Sequence, residues 1–205
     1  MSQPRGGTLA IADLEVDAPD IVAAFRGIEA GRFVSVRHEV RRRSGEGSAT
    51  RVAEQLAAVA GAFDERIAGL PDEAFAMPGG EADWNVAQTI GHDTDARAGL
   101  AMAGAVAASG RWPVDAPVVV PGVPGPARLD RDGLRRRLAA SQRMVERAAR
   151  SIAGHETDPC PLDHPLVGRL RCGEWLLFAG VHDLMHLEQL ERLAAELVEA
   201  SDGVR

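Results

Sequence analysis

Tyrosine and lysine are absent from this 205-residue chain, and aromatic residues make up only 4% of it. With so few aromatic side chains, most of the core volume has to come from Leu, Val, Ile and Ala. Small residues on this scale favour closely packed helices over a sheet, which prefers β-branched and aromatic residues. The composition therefore predicts a helical protein, and the length fits a single domain.

Positive charge is outnumbered by negative charge, because 23 basic residues face 30 Asp and Glu and leave a net charge of -7. General affinity for a nucleic-acid backbone needs clustered positive charge, so we expect no nucleic-acid partner. Every basic residue is Arg, and this usage, together with the many Ala and Gly, indicates a GC-rich coding sequence.

Only two cysteines occur, Cys160 and Cys172, and no apolar run approaches the roughly 20 residues that span a bilayer. The first ten residues lack the charged and then apolar leader that secretion requires. We therefore expect a soluble cytoplasmic protein with free thiols and no membrane partner.

Four segments carry apolar residues at the spacing of an amphipathic helix, at about 48–70, 84–110, 130–154 and 173–200. The connection between the second and third segments contains "PVVVPGVPGPA", which is too rich in proline for a helix or a central strand. This pattern predicts an all-α four-helix bundle with a long crossover loop between helices 2 and 3. The proline-rich stretch before the fourth helix, residues 155–172, is predicted to be a loop.

Residues 1–47 differ from the rest of the chain and are interpreted as an N-terminal arm or accessory segment, with residues 48–205 as the bundle domain. A short helix fits "DAPDIVAAFRGIEA", and a basic run with Arg41, Arg42 and Arg43 follows it. The three arginines are compatible with an anionic ligand and with a solvated charge run.

His182 and His186 lie one helical turn apart in "GVHDLMHLEQLERL" and share one stripe of the fourth helix. Two imidazoles at this spacing can both reach one metal ion. His92 is the only histidine inside the second helix, and its neighbours one turn away are small or polar. Spacing alone leaves two interpretations open, a three-histidine metal site and three ordinary surface or hydrogen-bonded histidines.

A second set of zinc-competent side chains lies in the stretch before the fourth helix: His155, Cys160, His164 and Cys172. Their spacing matches no zinc-finger pattern, and three prolines stiffen the chain between them. We expect ordinary buried or loop thiols there.

Two segments, "DWNVAQTIGHD" and "GEWLLFAGVHDLMHLEQLERL", resemble motifs of the DinB/YfiT-like metalloenzyme family. In the first motif a Trp begins a helix and a His follows two turns later; the second is a closing helix with H-x-x-x-H and a following Gln. "DHPLVGRLRCGEW" is similar to the family's loop into that helix. The resemblance covers roughly residues 48–198 and implies a DinB-like bundle around a divalent metal held by His92, His182 and His186.

The family resemblance also implies a kind of chemistry, since it includes mycothiol-dependent maleylpyruvate isomerases and bacillithiol S-transferases. Three neutral imidazoles leave a coordination position open, where a thiol is deprotonated or water is acidified. We expect a small-thiol-dependent S-transferase or isomerase acting on a small molecule, with zinc as the ion, nickel or iron as alternatives, and mycothiol as the suggested thiol. A non-catalytic metal- or ligand-binding bundle and a metal-dependent hydrolase are the alternatives, and a homodimer is compatible with the amphipathic helices.

Two polar residues near the three histidines are candidates to support the metal site. Gln189, one turn beyond His186, can orient a ligand or a water, or can simply bond the bundle interior. Asp95, three residues after His92, shares the same helix face and is predicted either to act as an acid or to be exposed.

Trp84 and Trp175 are predicted either to line the pocket or to anchor the packing of the helix starts. Arg97 is a candidate to steer an anionic thiol. Asp93 and Asp183 directly follow two of the histidines in sequence, and side chains at adjacent helix positions do not share a face. We therefore expect these two aspartates to point away from the partner helix.

Overall fold

The computed structural model describes residues 11–29, 33–80 and 83–202. Its elements in chain order are α1 (Leu14–Asp17), α2 (Pro19–Glu29), α3 (Phe33–Arg43), α4 (Ala49–Gly69), a 3-10 helix (Asp72–Ala76), α5 (Val86–Ala108), α6 (Arg131–Ile152), β1 (Pro159–His164), β2 (Gly168–Arg171) and α7 (Cys172–Asp202). Helices α4 to α7 correspond to the four predicted segments, so the all-α fold class is confirmed. Within the described ranges, no helix combines the length and the apolar character needed to cross a membrane.

The four long helices form the bundle, in which α5 packs against α6 and α7 and α4 packs against the same two helices. Side-chain caps fix where two of them begin. Asn85 accepts a hydrogen bond from Gln88 N–H at 2.8 Å and donates its own N–H to the Gln88 side chain at 3.1 Å, a capping box that starts α5. Asp130 caps α6 by accepting from Gly133 N–H at 2.7 Å. The first cap sets the position of every later residue of α5.

Helix α7 lies at the centre of the molecule and is buried on nearly all sides between residues 172 and 190. The face that the other bundle helices leave open is covered by α2. Ile21 of α2 is fully buried, and a Cβ at Gly180 of α7 would lie 2.5 Å from Ile21 Cδ1. The N-terminal helices therefore add to the same core, although residues 1–10 of the predicted arm lie outside the described residues.

The basic run in the N-terminal segment forms ion pairs with carboxylates of the protein itself. Arg41 Nε lies 2.8 Å from the buried Glu174 of α7, and Arg43 Nη1 lies 3.0 Å from Asp20 of α2. The third arginine, Arg42, pairs within α3. These contacts tie α3 to its neighbours, which accounts for the run without an external anion.

The predicted loop over residues 155–172 is wrong in part, because β1 and β2 pair as an antiparallel hairpin. The prolines at positions 159 and 161 are exposed, whereas the intervening Cys160 and Leu162 are buried. This alternation is that of a strand, and proline is tolerated in edge strands. Gly168 adopts a φ of 72°, which a turn between short strands needs and glycine allows.

The crossover loop, residues 109–130, is held to the rest of the fold at two places along its length. Val120 N–H donates to Asp163 O at 3.0 Å, and Asp163 N–H donates to Val118 O at 2.7 Å, so this part of the loop pairs with β1. Further along, a Cβ at Gly125 would lie only 2.4 Å from the backbone nitrogen of His92. Only glycine permits such a close approach, and the loop therefore lies directly on the first half of α5.

Candidate metal centre

The three predicted histidines come together where α5 faces α7. His92 lies in the second turn of α5, and His182 and His186 lie on successive turns of α7. The ring centroids are 5.3 Å apart for His92 and His182, 5.4 Å for His92 and His186, and 4.6 Å for His182 and His186. One ring nitrogen from each lies within 4.8 Å of the others. Nitrogens this close are candidates to share one ion, whose bonds to imidazole measure about 2.0–2.1 Å.

Each of the three rings has its Nδ1 beside an oxygen acceptor, and each acceptor comes from a different part of the fold. The distances are 2.7 Å from His92 to Val123 O, 3.3 Å from His182 to Asp93 Oδ1, and 2.9 Å from His186 to Gln189 Oε1. Because these oxygens only accept, each Nδ1 carries the hydrogen and each Nε2 keeps its lone pair. Metal-binding histidines are held in the same way.

Gln189 is itself fixed at the far end of its side chain. Its Nε2 donates to Gly79 O, which leaves Oε1 to face His186. Gly80, at a φ of 83°, lies so close that a Cβ there would be 3.1 Å from Gln189 Nε2. The turn before α5 thus sets the orientation of a ring on α7, as the predicted orienting role of Gln189 requires; that role stays a prediction.

Asp93 and Asp183 are buried, which corrects the expectation that they point away from the partner helix. Both α5 and α7 contact several neighbouring elements, so a position beside a ligand in sequence still faces the interior. Arg97 lies among them, fully buried, with its Nε 2.9 Å from Asp183 Oδ2 and its Nη2 donating to Leu56 O at 3.0 Å. Arg97 therefore balances charge inside the bundle, which corrects its predicted role of steering a soluble thiol.

The two buried carboxyl groups differ in charge. Burial raises the pKa of Asp183 well above its ordinary value despite the charge of Arg97, and the neighbouring Asp93 raises it further. Burial also acts to raise the pKa of Asp93, but the hydrogen bond from His182 and the positive charges around it lower that pKa below its ordinary value. Asp93 is therefore the group of the two that favours the carboxylate form and accepts from His182, whereas the environment of Asp183 favours its neutral form. Burial lowers the pKa of His182, which favours the neutral form that a metal ligand needs.

Two pockets reach the histidines. One, of 530 Å³, has His92 and His182 in its wall and lies between α5, the crossover loop and the hairpin. The other, of 430 Å³, reaches His186 and Gln189 and has Arg192 in a more polar wall. A small molecule can thus approach the centre through either of two spaces of different polarity.

The remaining predicted residues, Trp84, Asp95 and Trp175, lie at different distances from the three histidines. The Trp84 ring centroid lies 5.0 Å from that of His92. Asp95 lines the larger pocket, and its half-exposed carboxylate binds Arg137 at 2.9 and 2.6 Å, which favours the exposed of its two predicted placements. Trp175 is fully buried and is absent from the wall of either pocket, so it anchors the packing.

The alternative zinc ligands near the hairpin do not converge among the described residues. His155 pairs with Asp158 at the surface, at 2.8 Å, and both cysteines are buried and free. Burial raises the pKa of Cys160 and raises that of Cys172 to about 12. Neither thiol is an ionised nucleophile at neutral pH.

Comparison with known proteins gives one match. The family model described as the DinB superfamily matches residues 55–190, a range that contains all three histidines and most of the bundle. No curated protein and no solved structure gives a significant match.

Proposed function

The chain belongs to the DinB superfamily, and on this basis we propose that it binds a divalent metal ion through His92, His182 and His186 and acts as a small-thiol-dependent enzyme. The observation that carries the proposal is the shared arrangement of the three imidazoles, each with Nδ1 bonded to an acceptor and Nε2 free. Three neutral nitrogen donors fit zinc, nickel or iron. A divalent ion bound there supplies Lewis acidity, which lowers the pKa of a coordinated thiol or water.

The residues around the histidines hold the three rings in place through hydrogen bonds. Val123 O fixes the ring of His92 and Gln189 fixes that of His186, so neither has to reorient. The Asp93 carboxylate does the same for His182 and adds negative charge that strengthens this imidazole as a donor. Residues of the chain itself therefore orient the three nitrogen donors.

Two features support a reaction between a thiol and a second substrate. The two pockets reach different histidines, so two molecules have separate spaces beside one centre. The carboxylate in the larger pocket, Asp95, is paired with Arg137 through both oxygens, so this wall offers no unpaired carboxylate among the described residues as a general base for water. In the proposed reaction the thiol releases its proton to solvent, its sulfur bonds to an electrophilic carbon, and the leaving group departs with the bonding electrons. In an isomerisation no group leaves: the sulfur adds to a carbon–carbon double bond, whose electron pair moves onto a conjugated carbonyl. After rotation about the resulting single bond, the double bond re-forms, the sulfur–carbon bond breaks and the thiol is recovered.

Metal content tests the first half of the proposal. We would measure metal per chain by elemental mass spectrometry in protein purified without a nickel column, comparing the wild type with His182→Ala. His155→Ala is the matched control, because its ring lies at the surface and pairs only with Asp158. One equivalent in the wild type and in the control, and little in His182→Ala, is expected. A wild type that stays metal-free after reconstitution with zinc contradicts the proposal.

Turnover tests the second half. We would follow monobromobimane conjugation with mycothiol, bacillithiol and glutathione in the wild type and in His186→Ala, with circular dichroism as the check on folding. Thiol-dependent turnover that is lost in a folded His186→Ala protein is the expected result. Ester hydrolysis without added thiol would instead indicate a hydrolase, and metal binding with no turnover at all would indicate a binding protein.

A further inference from the structure

The larger pocket beside His92 and His182 has mainly apolar walls. Helix α5 contributes Leu100 and Ala103, the crossover loop contributes Trp112 and Val120, and the hairpin contributes Leu162. Its volume of 530 Å³ is typical of sites for small organic molecules. An apolar molecule gains free energy by leaving water for such a space.

Charge in the pocket wall is limited to groups that are already balanced. Asp95 is paired with Arg137, and His92 and His182 hold the centre itself. No arginine contributes to this wall within the part of the chain that the structure describes. Away from the three histidines, a carboxylate bound against this wall would lose its hydration without gaining a cation, which is unfavourable. The wall therefore favours an uncharged occupant.

His164, at the end of β1, supplies a polar group to this wall. Leu166 N–H donates to His164 Nδ1 at 3.2 Å, so the neutral ring carries its hydrogen on Nε2. The ring packs against Phe178 and Trp175, with centroid distances of 4.8 and 6.2 Å. Burial, reinforced by the nearby His182, lowers the pKa of His164 to about 4. The imidazole is therefore a fixed, uncharged hydrogen-bond donor at neutral pH.

We propose that this pocket binds an uncharged, largely apolar molecule with one hydrogen-bond acceptor, such as a carbonyl oxygen, which accepts from His164 Nε2–H. The inference rests on the proposed function only in making this molecule the electrophilic substrate. The apolar wall then favours neutral carbonyl compounds over dicarboxylates, and His164 is a binding residue that the motif of three histidines does not include.

The test uses three probes of similar size, acetophenone, ethylbenzene and benzoate, in ligand-observed NMR titrations of the full chain at pH 8. The protein is first treated with EDTA, so that binding is read without any metal or thiol. Gly99→Leu fills the pocket, because a Cβ at Gly99 meets nothing within 4 Å. Gly61→Leu is the matched control, a glycine of α4 with equally open surroundings outside this pocket. His164→Phe removes the donor, and His164→Gln keeps a donor.

We expect acetophenone to bind about three- to tenfold more tightly than ethylbenzene, the effect of one neutral hydrogen bond, and benzoate to bind most weakly. Gly99→Leu should abolish binding of all three, and Gly61→Leu should not. His164→Phe should remove the preference for acetophenone while ethylbenzene still binds, and His164→Gln should retain part of it.

Tighter binding of benzoate than of acetophenone overturns the proposal, and so does binding that survives Gly99→Leu. The role of His164 is overturned if His164→Phe still prefers acetophenone over ethylbenzene as strongly as the wild type does. It is also overturned if a folded His164→Gln shows no stronger preference for acetophenone than His164→Phe does. Because these titrations use metal-free protein, absence of metal or of turnover would refute the proposed function and leave this result standing.

Discussion

Replacing Asp93 by Asn tests whether a buried carboxylate controls the metal affinity of the neighbouring ring. Asp93 is fully buried, and its Oδ1 faces His182 Nδ1 at 3.3 Å. The amide of Asn has nearly the same shape, so the packing is retained. It lacks the negative charge, however, and it can present its NH₂ group to the ring. Arg97 keeps Asp183 as a partner at 2.9 Å, and loss of the negative charge of Asp93 favours the carboxylate form of Asp183.

The expected magnitude follows from what such partners contribute elsewhere. Removing a group that orients a metal-binding histidine lowers metal affinity about 10- to 100-fold, or about 1.4–2.7 kcal/mol. At saturating zinc the stabilisation of the folded state falls by the same amount. In a chain of this length each kcal/mol changes the melting midpoint by about 2–4 °C. The zinc-induced rise in melting temperature should therefore be smaller by about 3–11 °C.

The assay combines zinc competition against a chelating dye with thermal unfolding in the presence and absence of zinc. Asp95→Asn is the control, two residues further along α5, with its carboxylate half exposed and paired with Arg137. Breaking a surface ion pair has little effect on stability, and the control should keep wild-type zinc affinity. If Asp93→Asn also kept that affinity while His182→Ala lost it, the carboxylate would have no role in preparing the ligand.

Three further predictions follow from the packing. Gly125→Ala should push the crossover loop off α5 and weaken zinc binding in the dye competition. Gly122→Ala, whose added methyl group meets nothing within 4 Å, should leave zinc binding unchanged. Equal zinc affinities of the two variants would contradict the role of the loop in holding His92. Ile21→Ala should lower the free energy of unfolding in urea by about 2–5 kcal/mol if α2 belongs to the core. Val16→Ala, at an 84% exposed position, should change it by less than about 0.5 kcal/mol, and similar losses for the two variants would argue against that packing. Burial holds the pKa of His164 at about 4, below its ordinary 6.5, so the unfolded chain takes up a proton first and stability falls as pH drops from 6.5 to 4. His164→Phe should flatten that part of the stability curve, and an unchanged slope would refute the assignment.

The bundle could be predicted from the sequence because its signals are local. Apolar spacing marks each long helix, and Asn85 and Asp130 carry the caps that begin two of them. The proximity of His182 and His186 follows from helix geometry alone. The hairpin was missed because the prolines at 159 and 161 hide a strand whose buried positions alternate with them.

The surroundings of the histidines depended on contacts that no local pattern contains. Asp93 and Asp183 face the interior because α5 and α7 have neighbours on several sides, and the covering of α7 by α2 is a contact across most of the chain length. The signal available in the sequence was the pair of aspartates directly after His92 and His182, which form a second, buried polar stripe beside the ligands. The partner of His92 is a main-chain oxygen, which every residue type offers, so residue identity gives no indication of it.

That main-chain oxygen has an evolutionary consequence. The side chain of Val123 is 57% exposed, and substitutions at this position leave its carbonyl where it is. The side chain at position 123 can therefore change without moving this carbonyl, while the glycine two residues later keeps the distance to α5. Insertions and deletions are the changes that this segment does not tolerate. Sequence changes in this part of the crossover loop should preserve its length rather than its residue types.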